Sequence, residues 1–166
     1  MKKSLLIYWQ KECEYLIEDV QAQLKLMFGL EAVAAQQLEP PVSAFDTYRQ
    51  QYDVRYLIDI LGTECCSLWL LNVDISDPTH LYLYGVASEQ AALVSTYRTG
   101  SEANLFKEVC HEVGHLLGLD HCRNQCLMHT SRDIRQLNNK PLTLCSKCSQ
   151  KLHKSRMLGD RAAIVF

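Results

Sequence analysis

The sequence predicts an α/β fold: one domain, residues 1–166, on a mostly parallel twisted sheet with one antiparallel edge strand. Three observations predict it. Short apolar runs alternate with helical periodicities up to about residue 117, and strand–helix–strand order requires crossovers, hence parallel strands. The link Ser88–Gln90 between two strand-like runs is too short for a crossover, so those strands pair antiparallel. A chain of 166 residues, 48% apolar, is sized for one core.

Each element follows in order. Leu5–Trp9 is a short buried strand followed by polar residues. Glu12–Phe28 is a helix, with Leu16, Val20, Leu24 and Met27 at helical spacing and Gly29 as its stop. Ala32–Leu38 is a second strand, and "EPPVSAFD" a turn-rich connection. Tyr48–Leu61 reads as a second helix with Tyr48, Tyr52, Tyr56 and Ile60 on one face, ended by Gly62. Cys66–Ile75, a continuous apolar run, is a central strand; "SDPTH" is a loop; Leu81–Ala87 and Ala91–Tyr97 are strands. "TGSE" starts a helix capped by Ser101 or Thr99, running to about Leu117. From Gly118 the chain is loop until "CSKCSQKLHKS" opens a last helix. Residues 1–117 thus hold the sheet and helices, and 118–166 a C-terminal part of another character.

Charge and hydropathy exclude several function classes. A net charge of −2 and a pI near 6.3 give no nucleic-acid or anionic-membrane footprint. No apolar run approaches a membrane span. "MKKSLLIYWQ" lacks the apolar length and cleavage site of a secretory signal. The expectation is a cytoplasmic monomer, with no pro-segment ahead of the first strand.

The chemistry concentrates in Cys110–Met128, "CHEVGHLLGLDHCRNQCLM". His111 and His115, four apart on a helix, share one face, and both imidazoles reach one ion. His121 cannot share that face unless the helix ends, and Gly118 supplies the left-handed residue that turns the chain back. Three neutral imidazoles with an open fourth position form a catalytic zinc site, since a structural site is closed by a fourth protein ligand. Glu112, on the adjoining face, is placed as general base for the zinc-bound water and then as proton donor to a leaving amine. Methionines are ordinarily core; Met128, seven residues past His121, is placed to floor the metal.

Eight cysteines in a reducing compartment read as metal ligands or buried thiols. Cys13, Cys65, Cys66 and Cys110 have no ligand spacing and read as small buried hydrophobes. Cys122 and Cys126 (C-x-x-x-C) with Cys145 and Cys148 (C-x-x-C) fit a closed tetrahedral zinc site tying the loop after His121 to the last helix. Two disulfides or unpaired thiols are the alternatives, and a redox-active Cys145–Cys148 pair is disfavoured because no strand precedes it as in thioredoxin-type folds. The expected content is two zinc ions per chain, one catalytic and one structural.

"HEVGHLLGLDH" resembles the metzincin zinc motif, and with "HC…CLM…CSKC" after it the chain resembles the archaemetzincins. "PVSAFDTYRQQYD" and "LYLYGVASEQAALVSTYR" are similar to further segments of that family, so the likeness spans nearly the whole chain. The resemblance implies a minimal metzincin-like single domain. It implies that His111, His115 and His121 bind catalytic zinc, Glu112 is the base, Met128 is the Met-turn residue and the four cysteines bind the second zinc. One departure stands out: "CRNQC" holds three residues between its cysteines where the family's usual gap holds four, and Met128 to Cys145 is about one residue short.

The reading is a zinc-dependent peptidase acting on peptide or protein. Two rival functions stand beside it. A metal-dependent endoribonuclease family of bacterial ribosomal-RNA maturation resembles "HLLGLDH" but has glycine where this chain has Glu112. A non-catalytic two-zinc module binding peptides or partners has no use for a general base. His129 and Tyr97 are secondary candidates for contacting substrate or an oxyanion, against a plain loop or packing role. His80, His153 and "HKSRMLGDR" read as solvated. The edge strand Leu81–Ala87 reads either as a plain edge or as the place where an extended peptide adds a strand.

Overall fold

A computed structural model describes residues 4–62 and 66–158. In chain order the elements are β1 (Leu5–Trp9), a 3-10 turn (Lys11–Leu16) running into α1 (Ile17–Phe28), β2 (Ala32–Gln37), a 3-10 turn (Val42–Ala44), β3 (Phe45–Asp46), β4 (Gln51–Asp53), α2 (Val54–Ile60), β5 (Ser67–Leu71), β6 (Ile75–Asp77), β7 (His80–Leu83), β8 (Gly85–Ala87), β9 (Ala91–Ser95), α3 (Glu102–Leu116), α4 (Ile134–Asn139) and α5 (Ser146–Leu158). Cys65 and the end of the charged tail lie outside the described residues.

The main sheet has the order β2-β1-β5-β9-β8, parallel throughout except for β8, which runs antiparallel to β9 at one edge. This is the sheet the sequence predicts. Its two faces are separately buried because strand side chains alternate. On β5, Leu68 and Leu70 join Ile7, Ala92 and Val94 beneath α1 and α3, while Trp69, Leu71 and Leu93 pack with Val54 and Leu57 of α2. A sheet covered on both faces needs apolar residues at every position, which is why β5 and β9 read as continuous runs. The Trp69 indole is satisfied by donating to Leu38 O at 3.0 Å.

Five expectations are corrected. The helix predicted over Tyr48–Leu61 is only Val54–Ile60. Asp46 Oδ1 accepts from Tyr48 N at 2.8 Å and Arg49 N at 3.1 Å, a local turn that competes with helix. Gln50 sits at φ 56, Tyr52 pairs in a strand, and Asp53 caps the shortened helix through Arg55 N. The four residues of the predicted face do not share one environment: Tyr48 is 95% exposed, whereas Tyr52 packs against the core under α2. The strand predicted over Cys66–Ile75 ends at Leu71, and "SDPTH" is not all loop: Ile75–Asp77 forms β6. The strand Leu81–Ala87 divides at Tyr84 into β7 and β8. A second sheet, β3-β4-β6-β7, collects these pieces. The loop expected after Gly118 contains α4.

Candidate metal centres

Ser101 caps α3 by accepting from Asn104 N at 3.2 Å, and Thr99 does not cap it. The helix lies on β8, β9 and α1, which buries Val109, Cys110 and Val113 on its sheet side. Its C-terminus closes as a Schellman motif: Gly118 is left-handed at φ 82, Gly118 N donates to His115 O at 2.9 Å and Leu119 N to Gly114 O at 3.0 Å. The chain then folds back under the helix and returns His121 to the other two histidines.

The three rings converge. Centroids are 4.7 Å apart for His111–His115 and His115–His121, and 5.3 Å for His111–His121. One nitrogen of each lies within 4.8 Å of the others. Two of the rings are fixed in tautomer by the backbone. Leu127 O accepts from His111 Nδ1 at 3.0 Å and Leu119 O from His115 Nδ1 at 2.8 Å. A carbonyl can only accept, so each Nδ1 carries the proton and each Nε2 offers a lone pair. Those two Nε2 atoms face each other at 3.2 Å, close to the ~3.4 Å between two nitrogens on one tetrahedral zinc at ~2.1 Å. Burial, then Lys140, drives the His111 pKa to about 2, so the ring stays neutral as a ligand must; burial also lowers that of His115. The donor set fits zinc.

Glu112 is buried beside this cluster, and burial, then Glu108, raises its carboxyl well above the usual range, opposed by Lys140. It lines a cleft of about 920 Å³ with the three histidines, β7–β8 and Thr130–Arg132. Tyr82 of β7 donates to Arg132 O at 3.1 Å, tying the cleft's far walls together. Met128 is fully buried against the helix between His111 and His115: a Cβ on Gly114 would sit 2.6 Å from Met128 Sδ. The segment carrying it is held by Cys122 N donating to Met128 O at 2.9 Å and Leu127 N to Thr143 O at 2.7 Å.

The four sulfurs of Cys122, Cys126, Cys145 and Cys148 also lie within 4.8 Å of one another. Cys122 Sγ and Cys145 Sγ are 3.8 Å apart, the ~3.8 Å edge of a tetrahedral zinc–thiolate site with ~2.3 Å bonds. The three-residue gap in "CRNQC" therefore closes on one point. Backbone N–H donation from Cys148, then Asn124, lowers the Cys145 thiol to about 6, whereas burial raises Cys126 and Cys148. No disulfide joins these cysteines. Cys13, Cys66 and Cys110 are buried elsewhere, and burial pushes Cys13 and Cys110 up to about 12.

The remaining candidates stay outside the cluster. His129 is exposed with Nδ1 on Thr130 O at 2.8 Å, Tyr97 is exposed away from the cleft lining, and His153 is exposed on α5. His80 lies at the cleft rim, bonded to Asp77. Sequence reasoning missed two contributors. Gly85 lets β8 approach: a Cβ there would stand 2.8 Å from Glu112 Cγ and 2.9 Å from Leu93 O. A glycine inside a strand, "YGVA", is the signal that marked it. Glu108, one turn before Glu112, lines the cleft and pairs with buried Lys140; its sign was a second carboxylate on the same buried helix stripe.

Comparison with known proteins gives one consistent result. Residues 102–154 match the model for peptidase family M54. The archaemetzincin of Nanoarchaeum equitans is 31% identical over 138 residues, 81% of each chain. That of Aeropyrum pernix is 33% identical over 132 residues, 69% of this chain and 72% of the relative. The crystal structure of archaemetzincin from Methanopyrus kandleri superposes with a TM-score of 0.83 at 23% identity, covering 93% of this chain and 95% of that one. That of Archaeoglobus fulgidus, complexed with malonate, gives 0.82 at 24%, covering 89% and 99%. Among the described residues no helix is long and apolar enough to cross a membrane.

Proposed function

The chain belongs to the archaemetzincin family of zinc metallopeptidases, and from that premise we propose that it hydrolyses peptide bonds at the three-histidine centre, with a second zinc held for structure alone. The observation that carries the reading is the buried Glu112 carboxylate lining one cleft with three imidazoles, two of them with Nδ1–H tied to backbone oxygens.

His111, His115 and His121 hold the catalytic ion through ring nitrogens. When bound, zinc supplies Lewis acidity, polarising a carbonyl and lowering the pKa of water to about 7. Glu112 takes the proton of the attacking water on its carboxylate and delivers it to the departing amine. Its desolvated carboxylate is more basic than one in water. β8 is a sheet edge, and the substrate backbone extends along it as an added strand, which holds the scissile bond still while side chains enter the cleft. Met128 packs under the helix and keeps the returning loop apolar and dry. The cysteine cage joins Cys122, next to His121, to the start of α5, so the four thiolates, on holding a zinc ion, would fix the loop that carries His121.

The test is zinc content and turnover in two variants. His115→Ala should fall from two zinc ions to one and lose peptide cleavage while the cysteine site stays filled. Cys145→Ser should lose the other ion and destabilise the His121 loop. Cleavage persisting in zinc-depleted His115→Ala would remove the three-histidine centre as the catalyst.

A further inference from the structure

A second concavity, about 590 Å³, lies between the loop after His121 and α5, and His121 belongs to its lining as well as to the catalytic cleft. Four cationic side chains line it: Arg123, Lys147, Lys151 and Lys154. Its one carboxylate, Asp120, is taken by Lys151. Arg123, Lys147 and Lys154 have no carboxylate partner among the described residues. Cys122 and Cys148 of the four-cysteine cage also line the groove, so its four cations are offset by Asp120 and in part by the cage thiolates and leave a local positive excess in a chain of net charge −2; the groove meets the catalytic cleft at His121.

We propose that this groove is an extended subsite that receives acidic side chains of the polypeptide substrate, so that the enzyme selects segments rich in Asp or Glu flanking the cleaved bond. The inference rests on the peptidase reading above and adds a substrate class to it. A concave surface with an excess of one sign of charge focuses its field and raises the local concentration of an oppositely charged chain. Asn124 and Gln150 add neutral polar groups to the same lining. Apart from His121, which turns to the other two histidines, the lining holds no aromatic ring on which a base would stack, which favours polypeptide over single-stranded nucleic acid. Lys147 and Lys154 stand on the exposed side of α5, where replacing them disturbs no core.

Binding and cleavage separate this idea from the peptidase reading. Zinc-loaded Glu112→Ala protein would be titrated by fluorescence anisotropy with a glutamate-rich decapeptide and its glutamine counterpart. The glutamate peptide should bind about tenfold tighter at low salt, the scale of three exposed charge pairs acting together, and the gap should close near 1 M salt, where the Debye length is ~3 Å. Lys147→Glu/Lys154→Glu, or the milder Lys147→Gln/Lys154→Gln, should abolish the preference with both zinc ions retained. The wild-type ratio of kcat/KM for acidic over neutral peptides should fall in parallel. Equal binding of the two peptides, or a preference surviving in both double variants, would overturn the proposal and leave the peptidase reading intact. Zinc loss from the double variants with the preference unchanged would assign these lysines to the thiolate cage instead, and an oligouridylate displacing the acidic peptide at equal charge would assign the groove to nucleic acid. Preserved peptide preference without turnover in the wild type would sink the peptidase reading and leave the groove standing.

Discussion

Replacing Lys140 with methionine removes the cation of an ion pair that is almost wholly out of water. Lys140 Nζ lies 2.9 Å from Glu108 Oε1, and the two side chains are 2% and 6% exposed. The pair joins the end of α4 to α3 one turn before Glu112. Lys107 strengthens the joint by donating to Leu137 O at 3.0 Å and Asn138 O at 2.9 Å. Taking one partner away strands the other charge in a low-dielectric site, which costs about 3–5 kcal/mol. Against a typical total of about 5–15 kcal/mol this is a large fraction. With an m-value near 2 kcal/mol/M, the urea midpoint falls by about 2 M. The double variant Glu108→Leu/Lys140→Met leaves no charge behind and should recover most of the loss. Urea unfolding followed by circular dichroism reads both. A single-variant loss under about 1 kcal/mol, or a double variant no better than the single, would refute the claim that this pair is desolvated and held as a unit.

Three further outcomes follow from the same geometry. Gly85→Ala should cost about 1–3 kcal/mol and lower kcat/KM more than stability alone explains, because its Cβ meets both Glu112 and a backbone oxygen; a melting temperature and kcat/KM equal to wild type would contradict it. Gly114→Ala pushes on Met128 Sδ, so a thermodynamic cycle with Met128→Ala should be non-additive by more than ~0.5 kcal/mol, and strict additivity would separate the two residues. Asp77 accepts from Thr79 N at 2.7 Å and His80 N at 2.7 Å. Burial raises its carboxyl, but bonds from His80 and Thr79 outweigh that and hold it at about 2. A depressed folded pKa gives stability above the unfolded value near 3.8 that is lost as pH falls towards about 2. Asp77→Asn should flatten this loss between pH 4 and about 2, measured by thermal melts, and an unchanged acid profile would remove Asp77 from the account.

The parts of the fold legible in the sequence were those decided by one physical term. Continuous apolar runs in β5 and β9 marked strands buried on both faces, and Gly29 and Gly118 marked helix ends because each needs a left-handed backbone. The misread parts were contests between local and tertiary terms. Tyr48, Tyr52 and Tyr56 have helical spacing, yet the Asp46 turn and the pairing of β4 with β6 break the helix. Tyr84 could not be identified as a division between two sheets, because Leu81–Ala87 alternates well enough for one strand. The histidine and cysteine sets were legible because metal chemistry fixes residue type and spacing together. Gly85 and Glu108 left only faint signs, a glycine inside a strand and a second carboxylate on one helix stripe, and Lys140 left none, since their roles depend on which strands and helices become neighbours.

The central claim is that three histidines and Glu112 make a peptidase. The most direct measurement is cleavage of a diverse peptide library by zinc-loaded wild type and by Glu112→Ala, with products identified by mass spectrometry. Cuts should come from the wild type alone, with Glu112→Ala retaining its fold and both zinc ions. Equal cleavage by the two proteins would contradict the assignment of Glu112 as the base, and no cleavage by zinc-loaded wild type would contradict the peptidase account itself.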